Sequence, residues 1–180
     1  MVRARHLKYY GELLEEYKEA TGTYPLMGEA DVPIYTFIAT PGQLPKGYPE
    51  HGAPYDHKVA RIEAFFQILE QGLNREVLEY YDPQYAASNS RPNYYIYLVA
   101  GDTYYFAVHF QEEFSFTKNV AKNYNKVDLS NNPNDVNLAK DPDQLLNSKE
   151  FTELINRSMR KPGFFEEREQ KSQRLTKQPR

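Results

Sequence analysis

Residues 4–25 read ARHLKYYGELLEEYKEATGTYP and decide the fold of this chain. Apolar side chains recur there at spacings of three and four, which places them on one face of a helix. These residues are Leu7, Tyr10, Leu14 and Tyr17. Gly22 lies where a left-handed residue ends a helix, and Pro25 prevents the helix from resuming. The stretch therefore predicts an amphipathic helix with a sharply defined end.

A β-hairpin is predicted over residues 93–110, where two β-rich runs are separated by Gly101 and Asp102. A two-residue connection that begins with glycine is typical of a type I′ or II′ turn. The resulting register sets Tyr97 opposite Phe106 on an apolar face. A lone hairpin with such a face needs a covering helix, and the opening helix is the natural candidate.

Weaker patterns predict the remaining elements. They are a short strand at Ile34–Ile38, a helix from Asp56 to Gly72, a short helix that begins at Asn74, a strand at 114–116 and a last helix from Asp141 to Arg160. Asp141 and Pro142 suit the cap and the first position of that last helix. Residues 118–135 are polar and rich in asparagine, and no strand is predicted there.

Composition indicates one α+β domain over residues 1–160, followed by a flexible charged tail over 161–180. In this domain the N-terminal helix packs on a small antiparallel sheet with additional helices. The chain has 180 residues, a formal charge of −3 and no cysteine. These values argue against a general nucleic-acid binder and exclude disulfides and thiolate metal sites.

No pattern of catalytic residues is present, so the chain is predicted not to be an enzyme. A serine nucleophile needs a strained turn of the G-x-S-x-G type and a base. Ser88, Ser90 and Ser115 lie in no such setting. Likewise, the spacing of six between His51 and His57 fits no helical metal-binding pair.

The segment DLSNNPND, residues 128–135, is the best candidate for a metal site. Its alternating oxygen-bearing side chains resemble the start of a calcium-binding loop, since Ca²⁺ takes six to eight oxygen ligands. The candidate ligands are Asp128, Ser130, Asn132, Asn134 and Asp135. Pro133 replaces the glycine of an EF-hand, and Ala139 replaces its closing glutamate. The alternative is an asparagine-rich turn with local hydrogen bonds.

Tyrosine is abundant, with 16 copies in the chain, while tryptophan is absent. Tyrosine is enriched at protein interfaces, and the mixed face of the hairpin predicts a protein interface at Tyr94, Tyr105 and His109. The alternative is that tyrosine packs well on half-buried strands. Lys118, Lys122 and Lys126 suggest a basic strip, or lysines that simply point into water.

The motif A-R-x-x-x-x-Y-x-x-x-L-x-x-Y, followed by T-G-T-Y-P at residues 21–25, resembles type IV pilins and type II secretion pseudopilins. The hairpin YYIYLVAGDTYYFAVHF is similar to the sheet that the helix covers in that family. The resemblance implies a long N-terminal helix, a variable loop and an antiparallel sheet. It also implies an extracytoplasmic filament subunit or tip component without enzymatic activity, in which a loop after the sheet sometimes binds calcium.

On this resemblance we expect a pilin-like subunit of a cell-surface or secretion filament, located in the periplasm or at the cell surface. Its partners would be other pilin-like subunits, and it would contact the membrane only through a removed N-terminal segment. The alternative is a soluble cytoplasmic protein-binding domain, of the inhibitor or immunity type, that uses the tyrosine-rich sheet face. Neither hypothesis involves nucleic acid.

Overall fold

The computed structural model describes residues 2–27, 32–40, 58–83, 94–122, 124–132 and 139–159. Within these residues, helices pack on one face of a seven-stranded sheet that is mostly antiparallel. The main core lies between the two layers and includes Tyr10, Phe65, Tyr97 and Phe106. This is the α+β architecture that the sequence predicts.

The opening helix, α1, spans Val2–Thr21, and its predicted apolar face is the buried one. Leu7, Tyr10 and Leu14 are fully buried. Gly22 has a φ of +83°, and its amide bonds to the Lys18 carbonyl at 2.8 Å. The predicted left-handed end of the helix is thereby confirmed.

Seven strands form the sheet. They are β1 (Ile34–Ile38), β2 (Lys58–Val59), β3 (Tyr95–Ala100), β4 (Thr103–Phe110), β5 (Lys118–Ala121), β6 (Tyr124–Ser130) and β7 (Ala139–Lys140). Their order is β2-β1-β3-β4-β6-β5, and β7 pairs in parallel with the second half of β6. β1, β3, β4, β6 and β5 form a continuous antiparallel series.

The predicted hairpin forms as β3 and β4, with Tyr97 opposite Phe106. Gly101 has a φ of +55°, and Asp102 is not among the described residues with positive φ. This pattern is that of a type II′ turn, in which only the first central residue is left-handed. The Phe106 ring stacks on Tyr10 of α1 with the ring centroids 4.8 Å apart, so α1 covers the hairpin as predicted.

The second helix, α2, spans Ile62–Leu73, so the predicted start at Asp56 is wrong. Asp56 lies outside the described residues. Asn74, with a φ of +50°, ends α2 in the left-handed conformation instead of starting another helix. Gly72 lies inside α2, one residue before its end. A Cβ there would come within 2.2 Å of a Tyr17 ring carbon, so the packing of Tyr17 favours glycine at this position.

Two further predictions for the middle of the chain are wrong. Phe114–Phe116 is a turn and not a strand, because the Thr117 amide bonds back to the Phe114 carbonyl at 3.0 Å. The polar segment 118–135 contains β5 and β6, which the sequence analysis does not predict. Val127 and Leu129 of β6 face the core, and pairing with β4 fixes their register.

The C-terminal helix is divided into α3 (Pro142–Leu146) and α4 (Lys149–Met159). The predicted cap is confirmed, since the Asp141 carboxylate accepts a hydrogen bond from the Gln144 amide at 2.9 Å. The predicted single helix is wrong because the chain turns at Asn147 and Ser148. The predicted tail over 161–180 lies outside the described residues. No helix in the described part of the chain is long and apolar enough to cross a membrane.

Candidate functional site

The outer face is the face of the sheet that points away from the helices. At its β1–β3 end this face is apolar and is formed by Tyr35, Phe37, Ala39, Tyr94 and Ile96. Tyr94 is 6% exposed, and its ring packs edge-on against Phe37 with the centroids 5.5 Å apart. Packing within the chain therefore accounts for this end of the outer face.

At its β4–β6 end the outer face becomes polar. The polar cluster consists of His109, Tyr124, Lys126, Asp128 and Ser130. The antiparallel register places Lys126 opposite His109, and Ser130 opposite Tyr105. Asp128 and Ser130 of the predicted calcium ligands therefore lie on the same surface as Tyr105 and His109 of the predicted interface.

Asp128 is 4% exposed and makes an ion pair with its neighbour on the same face of β6. Its Oδ2 lies 2.9 Å from Lys126 Nζ. Its Oδ1 is buried and has no hydrogen-bond partner among the described residues. Burial raises the pKa of the Asp128 carboxyl, and the Lys126 ammonium lowers it in part. Oδ2 of Asp128 thus has a positively charged partner, whereas Oδ1 has no hydrogen-bond partner among the described residues.

His109 is partly buried, and its ring stacks on Tyr124 with the centroids 4.1 Å apart and the planes at 13°. Its Nδ1 is enclosed and has no hydrogen-bond partner in the described segments. Burial, followed by the charges of Lys126 and Arg3, lowers the pKa of His109 to about 3. The imidazole is therefore neutral at pH 7.

The predicted calcium ligands are only partly brought together. Asp128 and Ser130 lie on one face of β6, and the Ser130 hydroxyl accepts a hydrogen bond from the Asn132 amide at 3.0 Å. Asn134 and Asp135 lie outside the described residues. In the ranges that the structure describes, no three His, Asp or Glu side chains form a group that could hold a metal ion. The calcium site remains a prediction.

The predicted interface residues are not equivalent in the fold. Tyr94 lies at the apolar end of the outer face, whereas Tyr105 and His109 lie in and beside the polar cluster. The last two are partly buried. Tyr94 packs against Phe37 within the chain, and the interface remains a prediction for all three residues.

A second set of contacts joins the end of α1 to the sheet, and we call it the helix–sheet junction. Tyr24 is 4% exposed, and its ring packs against Tyr104 with the centroids 4.6 Å apart. The Tyr24 and Tyr104 hydroxyls donate to the Glu15 carboxylate at 3.1 and 3.2 Å. The Tyr97 hydroxyl donates to the Pro25 carbonyl at 2.8 Å. Residues of the T-G-T-Y-P motif thus attach the helix to the hairpin.

The extended segment Arg75–Asp82, which we call the strap, lies along α1 and runs in the opposite direction. At one end Arg75 Nη2 lies 2.6 Å from Glu16 Oε2. At the other end Arg3 and Asp82 form a buried ion pair. The strap therefore follows α1 over most of its length.

Tyrosines of α1 bond to the backbone of the strap between these two ends. Tyr9 Oη accepts a hydrogen bond from the Leu78 amide at 2.8 Å. Tyr10 Oη donates to the Tyr80 carbonyl at 2.7 Å and accepts from the Tyr80 amide at 3.0 Å. Side chains of the helix thus satisfy backbone groups that would otherwise need a neighbouring strand.

The buried ion pair between α1 and the strap is not predicted from the sequence. Arg3 precedes Leu7 by four residues and so lies on the apolar stripe of α1. A charge on a buried helix face needs a partner of opposite charge. That signal was available in the sequence, but nothing local identifies Asp82 as the partner.

Comparison with known proteins finds no matching family model, no matching characterised protein and no matching solved structure.

Proposed function

We propose that this chain is the head domain of a non-enzymatic, pilin-like subunit of a cell-surface or secretion filament. The observation that carries the proposal is the helix–sheet junction. The residues on which the resemblance rests include Tyr24 and Pro25, which join the helix to the sheet. Tyr24 is buried against Tyr104, and the Pro25 carbonyl is held by Tyr97.

The attachment of α1 suits a subunit that bears tension along its first helix. One end of α1 is held by the Arg3–Asp82 pair and the other by the bonds of Glu15 to two tyrosines. A force applied along α1 would therefore be shared by the strap and the hairpin. Other copies of the subunit would be its partners, and an apolar segment before Val2 would provide membrane attachment.

The gene provides the first test of this proposal. A pilin-like subunit would be encoded with about 20 apolar residues upstream of the described helix, the length that a bilayer requires. Reading the complete open reading frame decides the matter. An in-frame stop codon immediately before Met1 would contradict the proposal.

Cysteine labelling provides the second test, because the natural chain contains no cysteine. Glu12 is exposed on α1, so a Glu12→Cys variant should react with a membrane-impermeant maleimide on intact cells. Leu14 is fully buried, and Leu14→Cys is the matched control that should remain unlabelled. Label recovered in filaments sheared from the cells supports the proposal. Label that appears only after lysis, in a soluble fraction, would contradict it.

The second candidate is a soluble protein-binding domain, and the polar cluster is the observation that favours it. His109 and Tyr124 stack in this cluster, Tyr105 lies beside it on the same face, and all three positions are partly buried. A nanomolar protein partner whose affinity falls at least tenfold with Tyr105→Ala, about 1.4 kcal/mol, would favour this candidate. Tyr94→Ala is unsuitable as the first test because Tyr94 is packed against Phe37.

A further inference from the structure

Two lysines lie in line with His109 on the neighbouring strands. Lys126 lies directly opposite it on β6, and Lys118 lies opposite Lys126 on β5. The three side chains therefore form a row across three neighbouring strands. Arg3 on α1 adds a further positive influence on the ring.

Among the other polar groups near His109, Asp128 offsets part of the Lys126 charge. Tyr124 stacks on the ring through its face. Tyr105 lies further along β4 on the same face of the sheet. Asp128 lies one diagonal step away on β6, where its Oδ2 is occupied by Lys126. Within the described chain, no acceptor reaches His109 Nδ1.

Protonation of His109 would therefore be costly in the folded state for two independent reasons. An imidazolium carries a proton on both ring nitrogens, so an N–H at Nδ1 would be enclosed without an acceptor. The same proton would place a third cation in line with Lys126 and Lys118. Like charges directly opposite each other destabilise a sheet.

We infer that His109 is an acid-sensitive group of the β4–β6 end of the sheet, which packs as a neutral ring and loosens the fold when acid forces a proton onto it. The inference is independent of the filament proposal. It requires only that the domain folds as described.

The sign of the pH dependence follows from proton binding. The pKa of His109 is about 3 in the folded chain, and its ordinary value is 6.5. Between these two values the unfolded chain binds more protons than the folded chain, so stability falls as the pH falls. The contribution is fully present above pH 6.5 and is lost progressively down to about pH 3. From pH 7 to pH 5, His109 alone should increase the unfolding constant about 25-fold.

The experiment combines NMR titration with urea unfolding on the whole chain. The chain has four histidines, and the ring signal that disappears in His109→Gln identifies His109. In the wild-type protein that signal should show a midpoint well below 6.5. The about 25-fold increase in the unfolding constant should be largely absent in His109→Gln and retained in His6→Gln, which removes another buried histidine.

A wild-type midpoint near 6.5 would overturn the inference. So would an unchanged pH dependence of unfolding in His109→Gln. If His109→Gln does not fold, the variants His6→Gln, His51→Gln and His57→Gln each identify one of the other three ring signals. The remaining signal is then that of His109, and its wild-type midpoint decides.

Discussion

Arg3 and Asp82 are 79 residues apart in the chain and form a bidentate ion pair, with the Nε–Oδ2 and Nη2–Oδ1 distances both 2.8 Å. The Arg3 residue is 8% exposed and the Asp82 residue 5%. The pair closes the strap onto the first turns of α1. Its energetic role differs from that of a surface ion pair because neither charge has ready access to water.

Removing one charge of this pair should be strongly destabilising. Asp82→Ala leaves the Arg3 guanidinium buried without its counter-ion and should lower the free energy of unfolding by about 3–5 kcal/mol. Urea unfolding measures the change. Glu16→Ala breaks the exposed pair with Arg75 and should cost less than about 1 kcal/mol. Equal effects of the two variants would show that the buried pair has no special role.

Two neighbouring tyrosines of α1 should differ in their effect on the strap. Tyr10→Phe removes the hydroxyl that satisfies both the amide and the carbonyl of Tyr80, so we expect a loss of about 2 kcal/mol. Tyr9→Phe frees only the Leu78 amide, which lies at an exposed position, and should cost less than about 1 kcal/mol.

Hydrogen exchange of the Tyr80 amide provides the local readout for this pair of variants. Its protection should fall in Tyr10→Phe and remain close to wild type in Tyr9→Phe. The opposite order would contradict the bonding described for the strap.

Replacing Gly11 with alanine should destabilise the domain, even though Gly11 lies within a helix. A Cβ at this position would lie 2.8 Å from Leu146 Cδ1 and 2.9 Å from Leu129 Cδ1. Alanine would gain about 1 kcal/mol of helix propensity, but overpacking costs about 1–3 kcal/mol. We expect a lower melting temperature for Gly11→Ala. A Leu146→Ala background removes one of the two close contacts, so Gly11→Ala should be less destabilising there than in the wild-type background. A stabilising effect of Gly11→Ala in the wild-type background would contradict the close packing.

The helix–sheet junction should depend on one carboxylate. Glu15→Ala removes the acceptor shared by the Tyr24 and Tyr104 hydroxyls and should cost about 2 kcal/mol in the free energy of unfolding. Glu19 is exposed on the same helix, so Glu19→Ala is the matched control with an expected change within about 0.5 kcal/mol. A similarly small change in the free energy of unfolding for both variants would show that the Tyr24 and Tyr104 hydroxyls bond to other acceptors.

The elements that are predicted correctly have strong local signals. The stripe of α1 and its glycine end are readable because one helix face repeats over four turns and Gly22 must be left-handed. The β3–β4 hairpin is predicted correctly because its turn residues and the alternation of its side chains indicate the same structure. In both cases the local pattern and the tertiary packing favour the same structure.

The elements that are missed depend on contacts that are distant in sequence. β6 contains Asn125, Lys126 and Asp128, which are poor strand formers, and it is held in the sheet by β4 on one side. The error at Phe114–Phe116 has the reverse cause, since aromatic residues there pack as a turn, and Phe116 lies edge-on to Phe151. Tertiary packing overrides local propensity at each of these places.

In the candidate site, too, some features follow from the local sequence and others depend on distant contacts. Asp128, Ser130, Tyr105 and His109 can be selected from residue type alone. Their meeting on the outer face requires the register of β4 against β6, and β6 is the strand that the sequence does not reveal. Burial is the main cause of the low pKa of His109, and Lys126, which that same register places opposite the ring, lowers it further.

The contacts of α1 with the strap also determine when this helix can pack into the fold during synthesis. The contacts that hold α1 join residues 59 to 89 positions apart, including Glu16 with Arg75 and Glu15 with Tyr104. α1 leaves the ribosome before its partners, which follow several seconds later at about 5–20 residues per second. Its apolar face remains exposed during that interval. The domain is therefore expected to fold late and cooperatively, with a helix that is made first and buried last.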